Sequence, residues 1–187
     1  LGIPFEEVTP EQRSHAKAVN FGIIYGISDF GLARQLGIPR KQAASYIEAY
    51  FKRYPSIHDF MHSMVEKAKE TGRAVTLFGR YRELPDINSK NFNRRSFAER
   101  TAMNTPIQGT AADIMKMAMI EVYRKMKAGG YKSRVLLQVH DELVAEVVKE
   151  EKEEIAALLK ETMESVVKLK VPLVADVNEG KNWAETK

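Results

Sequence analysis

Three ionisable residues, His140-Asp141-Glu142, stand side by side in the most apolar stretch of the chain, Leu136-Leu137-Gln138-Val139 before them and Leu143-Val144-Ala145-Glu146-Val147-Val148 after. Carboxylates flanked by strand-like apolar sequence need a cation, a metal ion or exposure at a tight turn. Uncompensated burial would otherwise shift their pKa or destabilise the fold. Two adjacent carboxyl groups beside an imidazole make a candidate site for a hard divalent ion. The alternative is a plain β-hairpin whose turn is polar because it faces water.

A second constellation lies near the start. Arg13, Lys17, Phe21 and Tyr25 follow one another at four-residue steps. On a helix they form one slowly rotating stripe, rising about 6 Å per step. Two cations followed by two aromatics suit a triphosphate at one end and a base and sugar at the other. The alternative is an amphipathic helix with a basic exposed end and a buried aromatic end.

Arg100, Asn104 and Gln108 repeat the same four-residue step. Long polar side chains there can reach phosphates, sugars or the minor-groove acceptors that all correct base pairs share, checking shape without reading sequence. Helix capping or core hydrogen bonding around Pro106 is the other account. Arg80, Arg82, Lys90, Arg94 and Arg95 form a basic stretch, read either as a duplex-backbone contact or as a solvated loop.

The elements that must position these residues follow from punctuation and periodicity. Thr9-Pro10-Glu11-Gln12 reads as an N-cap, a Pro at the first helical position and a capping-box Gln, opening a helix through about Tyr25. Gly26 and Ser28 break it. A short helix from Asp29 to about Gln35 ends at Gly37, and another opens at Pro39 with Ala43, Ala44, Ile47, Tyr50 and Phe51 on one face. After Pro55, Ile57, Phe60, Met61, Met64, Val65 and Ala68 follow helical spacing as core residues. A strand over 74–78 leads through Gly79 into a turn-rich loop, Arg80 to Ser89, and 91–127 is largely helical with a break near Pro106 and Gly109. Two strands then meet near His140-Asp141. An amphipathic helix from about Glu150 turns Ile155, Leu158, Leu159 and Val166 inward, and a last strand spans Leu173 to Val177. The expected class is α+β, helices first and then a helix-and-strand unit.

At 187 residues with 44% hydrophobic content, the chain can bury a real core as one domain or two lobes. A net charge of +4 tolerates a polyanionic partner without demonstrating one. Zero cysteines exclude disulfides, thiolate zinc sites and a Cys nucleophile. No apolar run reaches membrane-span length, and Leu1-Gly2-Ile3-Pro4 has neither a basic nor an apolar leader region. The missing initiator Met suggests a piece of something longer.

The order Arg13-x3-Lys17-x7-Tyr25-Gly26, with Asn20-Phe21-Gly22 inside, resembles motif B of the family A DNA polymerases. Asn104-Thr105-Pro106-Ile107-Gln108-Gly109-Thr110-Ala111-Ala112-Asp113 resembles the family's template- and primer-contacting palm helix, and Gln138-Val139-His140-Asp141-Glu142 resembles motif C. The three motifs occur in order over nearly the whole chain, which is similar to the C-terminal fingers (1–90) and second-half palm (91–187) of a bacterial polymerase. That palm is part of an antiparallel sheet with packed helices.

The resemblance implies transfer of a nucleotide from a dNTP to a primer 3′-hydroxyl within a longer protein. Arg13 and Lys17 would contact the triphosphate, Lys17 also giving a proton to the departing pyrophosphate. Phe21 would sit against the sugar, and Tyr25 and Gly26 would guard the templating base. Arg100, Asn104, Gln108, Arg80 and His140 would contact primer-template DNA, His140 at the primer terminus. Asp141 would bind Mg²⁺, with Glu142 a closer-to-optional second acid, and two ions are expected in the complete site. Implied too are a role in DNA replication and repair, a cytoplasmic, nucleoid-associated location and no membrane partner.

The sequence departs from the family in two places. The eight residues before Thr9 hold no counterpart of motif A with its metal-binding Asp, and no thumb, so both must come from a missing N-terminal part. The isolated chain is therefore expected to be inactive. Tyr81 also stands where many relatives have Arg, which puts that phosphate contact in doubt. Two rival readings are a non-catalytic basic DNA-binding module of polymerase ancestry and a metal-dependent hydrolase using His140 and Asp141. The hydrolase lacks a second cluster with ligand spacing.

Overall fold

The structure, a computed structural model, describes residues 4–186. The leader reading of Leu1-Gly2-Ile3 lies outside them. The chain divides into two compact units, Leu1–Gly109 and Thr110–Lys187. Both mix helices with a two-stranded antiparallel sheet, so the class is α+β.

The first unit opens with helix α1 (Pro10–Ile24). Thr9 caps it as its sequence predicts: the Gln12 N–H donates to Thr9 Oγ1 at 3.2 Å, and the Thr9 N–H donates to Gln12 Oε1 at 2.9 Å. Helix α2 (Asp29–Leu36) is capped by Ser28 and stopped by left-handed Gly37. Helix α3 (Arg40–Arg53) follows, burying Ala43 against Leu32 and Ala33 of α2. Val19, Ile27 and Ile47 close this small core.

Helix α4 (Pro55–Thr71) starts at Pro55 and ends at left-handed Gly72. Met61 and Ala68 are buried and Val65 packs against the core, but Phe60 is 43% exposed. It is not a core residue: the inward row runs through half-buried 57, 64 and 65 and buried 61 and 68, and position 60 falls at its edge. Strand β1 (Arg73–Val75) pairs with β2 (Tyr81–Glu83), so the expected strand is shorter than 74–78 and part of the expected basic loop is a strand. Tyr81-Arg82-Glu83 has no apolar alternation to announce it. Ala74 of β1 joins Ala68, Leu84, Ile87, Ala98 and Ala102 in a second core, the last two from α5 (Phe92–Asn104). A turn of π-helix, Thr105–Gly109, closes the unit where a break is expected.

The second unit holds α6 (Thr110–Ala128), the hairpin β3 (Arg134–Val139) and β4 (Glu142–Glu146), and α7 (Lys152–Ser165). Val122 and Met126 of α6 meet Ile155 of α7, with Val135, Leu143, Leu158 and Leu159 around them. The buried Thr162 hydroxyl accepts from Lys125 Nζ at 3.0 Å, tying α7 to α6. The entry to β3 is held by Glu151, whose carboxylate accepts the Lys132 N–H, the Ser133 N–H and the Ser133 hydroxyl. Those bonds, the Lys132 N–H first, hold it below the usual carboxylate range.

The expected last strand, Leu173 to Val177, does not form. The Ala175 N–H donates to the Glu164 carboxylate at 3.0 Å instead of to a ladder, and Val174 and Val177 are exposed. The segment has no neighbouring strand to pair with among the described residues.

Candidate functional site

The stripe on α1 is solvent-facing from end to end. Arg13 and Lys17 are exposed, and so are Phe21 (45%) and Tyr25 (37%), which removes the reading of a buried aromatic end. Lys17 Nζ lies 6.0 Å from the Phe21 ring centroid, and Phe21 and Tyr25 stack with centroids 6.2 Å apart and planes at 29°. A cation, an aromatic ring and a second ring thus touch in series. Neither Arg13 nor Lys17 has an acidic partner among the described residues. Such a row offers positive charge and flat apolar surface to one ligand.

Gly26 ends the stripe with φ +75°. A Cβ there would stand 2.5 Å from Met103 Cε and 3.2 Å from Arg100 Cγ, so the end of α1 packs closely on α5. That contact brings together two regions the sequence lists separately. Arg100 itself donates from Nη1 to Ser96 Oγ at 2.8 Å.

Arg80, Asn104 and Gln108 line one hollow of about 310 Å³, together with Thr76, Tyr81 and Thr101. Asn104 Oδ1 is buried without a hydrogen-bond partner, an acceptor left open in a polar recess. The capping role considered for Asn104 is not seen. Gly109 lets the π turn approach β1, because a Cβ would sit 2.6 Å from Thr76 Cγ2. Thr76 carries no signal in the sequence that would single it out. In the basic stretch, Arg95 is partly structural: Nη1 donates to the Ser89 carbonyl at 2.9 Å and the guanidinium lies 5.8 Å from the Phe92 ring.

In the second unit, Val139 pairs with Glu142, leaving His140-Asp141 as a two-residue turn. His140 takes φ +54°, the one non-glycine positive φ among the described residues. Gln138 Nε2 donates to the His140 carbonyl at 2.7 Å and braces the turn. His140, Asp141 and Glu142 are all exposed, so the charges are tolerated by solvent and the strands are only half covered: Leu136 and Leu137 are each 51% exposed.

The two carboxylates differ. Glu142 Oε2 accepts from Trp183 Nε1 at 3.2 Å, a contact that the lone Trp in the sequence does not announce. Asp141 has no hydrogen-bond or ion-pair partner among the described residues. Among the described residues, no group of three or more His, Cys, Asp or Glu is placed to hold a metal. Mg²⁺ takes one or two protein carboxylates and completes its shell with water and substrate phosphates. A free Asp141 beside a tethered Glu142 fits an ion shared with substrate, not a closed protein cage.

Cations and rings on a helix of the first unit, and a carboxylate on a hairpin turn of the second, are the candidate groups. The family model for DNA polymerase family A matches residues 1–185, and the chain belongs to that family. It is 57% identical over 182 residues to DNA polymerase I of Streptococcus pneumoniae, covering 97% of this chain and 21% of that protein. It is 55% identical over 187 residues to DNA polymerase I of Caldicellulosiruptor bescii, covering 100% of this chain and 22% of that one. Among solved structures it resembles the POL domain of Pol1 from M. smegmatis in complex with DNA primer-template and dNTP. The TM-score there is 0.94 at 44% identity, over 98% of this chain and 32% of that one. The chain thus spans about a fifth of the length of the curated relatives it matches. No helix of the described residues is long and apolar enough to cross a membrane.

Proposed function

We propose that this chain is the fingers (1–90) and second-half palm (91–187) portion of a DNA-directed DNA polymerase. In it, a primer 3′-hydroxyl attacks a dNTP and pyrophosphate leaves. The observation that carries the reading is Asp141: a carboxylate without a partner among the described residues, displayed at a strained two-residue turn in a chain of this family. The proposed division follows function and not compactness, since α5 packs with α4 and β1 in the first unit yet is assigned to the palm.

Asp141 and Glu142 would hold Mg²⁺, which when bound neutralises charge on the reacting phosphate and stabilises the attacking and leaving oxygens. Arg13 binds the triphosphate through its planar fork, and Lys17 holds a proton for the departing pyrophosphate. Phe21 takes the sugar on its ring face. Tyr25, next to Gly26, covers the templating base. Asn104 Oδ1 and Gln108 meet donors and acceptors of the terminal base pair, Arg100 and Arg80 bind nucleic-acid backbone, and His140 orients the primer terminus.

The second metal-binding carboxylate and the thumb come, in this reading, from the rest of a longer polypeptide. The exposed apolar faces of Leu136, Leu137 and Val174 support such a covering part. Replication or repair synthesis at the chromosome follows as the proposed setting.

Primer extension tests the reading. The longer protein is expected to extend a primed template with Mg²⁺ and all four dNTPs, and the folded 187-residue chain is expected not to. Robust extension by the isolated chain would contradict the half-site account. A longer protein that binds the template but never extends it would favour the non-catalytic module.

A further inference from the structure

Tyr81 on β2 is an exposed ring (57%) in the basic stretch that also holds Arg80 and Arg82. The structure brings a guanidinium to the same place from the neighbouring strand. Pairing of β1 with β2 sets Val75 opposite Tyr81 and Arg73 opposite Glu83, so Arg73 and Tyr81 are diagonal neighbours on one face. Ala74 between them points to the other face and is buried, which fixes the register and turns Arg73 outward. Arg73 Cζ lies 4.8 Å from the centroid of the Tyr81 ring, within reach of a cation–π contact.

What Arg73 lacks is equally informative. Although Glu83 is its register partner, Arg73 forms no ion pair with it or with any other carboxylate among the described residues. A guanidinium held by a ring face keeps its full charge and leaves its N–H edges available to an anion, which one held by an acid does not. Tyr81 also lines the hollow that contains Asn104 and Gln108, so the stack stands beside the open acceptor of Asn104.

We infer that Arg73, carried on the Tyr81 ring, is a phosphate-backbone contact for duplex DNA. The inference rests on the polymerase reading above and adds a residue to it. The contact positions the duplex and reads no sequence.

The test is the salt dependence of primer-template affinity, measured on the longer polymerase that contains this chain. Arg73→Gln is expected to weaken binding about five- to tenfold at low salt, equally for unrelated sequences, and to reduce the slope of log affinity against log salt by about one. Tyr81→Phe keeps the ring and is expected to match the unaltered protein, whereas Tyr81→Leu weakens binding by part of that amount. Arg73→Gln combined with Tyr81→Arg is expected to regain the slope, which a merely structural role for Arg73 would not produce. Unchanged affinity and slope in Arg73→Gln, in a protein whose unaltered form binds the same DNA, overturns the inference and leaves the polymerase reading standing. Failure of the double variant to regain the slope overturns it too. An unaltered protein that binds no primer-template overturns both.

Discussion

Along α1, Arg13 and Lys17 are held to no acid among the described residues, and their order comes from helical spacing and ring stacking alone. At the β3–β4 turn the opposite holds: Gln138 pins the His140 carbonyl and Trp183 pins one of two carboxylates, leaving Asp141 as the free one. The first arrangement suits a ligand whose position changes as it is bound and released. The second suits a group that must be in one place when bonds are exchanged, because preorganisation matters most at the reacting centre. The difference separates side chains placed by helical spacing alone from a turn placed by side-chain hydrogen bonds.

The comparison can be broken at several points. The largest expected effect after loss of Asp141 is at Lys17: Lys17→Ala in the longer polymerase should lower the single-turnover rate about 10²-fold, as loss of a general acid does. A rate loss that disappears at high dNTP would make Lys17 a binding residue only. Glu142→Gln should cost about tenfold or less, since that carboxylate is already shared with Trp183. A larger loss than that from Asp141 would invert the roles given to the two acids.

Smaller effects concern the scaffold. Gly26→Ala places a side chain at φ +75° against Met103 and should destabilise the first unit by about 1–2 kcal/mol, read from denaturant unfolding. Met103 can swing aside, so the backbone angle dominates the cost.

The mildest concerns acid. Glu151 and Asp29 both have carboxyl groups lowered from 4.5 and 3.8, Glu151 chiefly by the Lys132 N–H and Asp29 chiefly by the Arg40 guanidinium. A lowered carboxylate contributes stability above its unfolded pKa and loses it as pH falls through the folded one. Stability should therefore decline below those values, and Glu151→Gln should blunt the acid limb. An unchanged acid limb would mean that the entry to β3 does not depend on this charge.

Much of this architecture is legible in the residues. Thr9-Pro10 with Gln12, Ser28, Gly37, Pro55 and Gly72 mark helix ends because capping and left-handed geometry demand those types. What stays hidden depends on partners distant in sequence. Strand β2, Tyr81-Arg82-Glu83, shows no apolar alternation and exists because β1 pairs with it. The 173–177 segment looks like a strand by composition but has no described strand beside it. At the sites, spacing shows the α1 stripe and the acidic turn, while the unpaired state of Asp141, the tether on Glu142 and the open acceptor of Asn104 need coordinates.

We propose that Asp141 serves the chemical step and not the grip on DNA. Asp141→Asn in the longer polymerase, followed by single-turnover nucleotide incorporation with Mg²⁺ and by primer-template affinity, tests it most directly. The expected result is a rate lower by on the order of 10³-fold or more with DNA affinity unchanged within about twofold. Incorporation within about threefold of the unaltered protein, or a rate loss matched by loss of DNA binding, would contradict it.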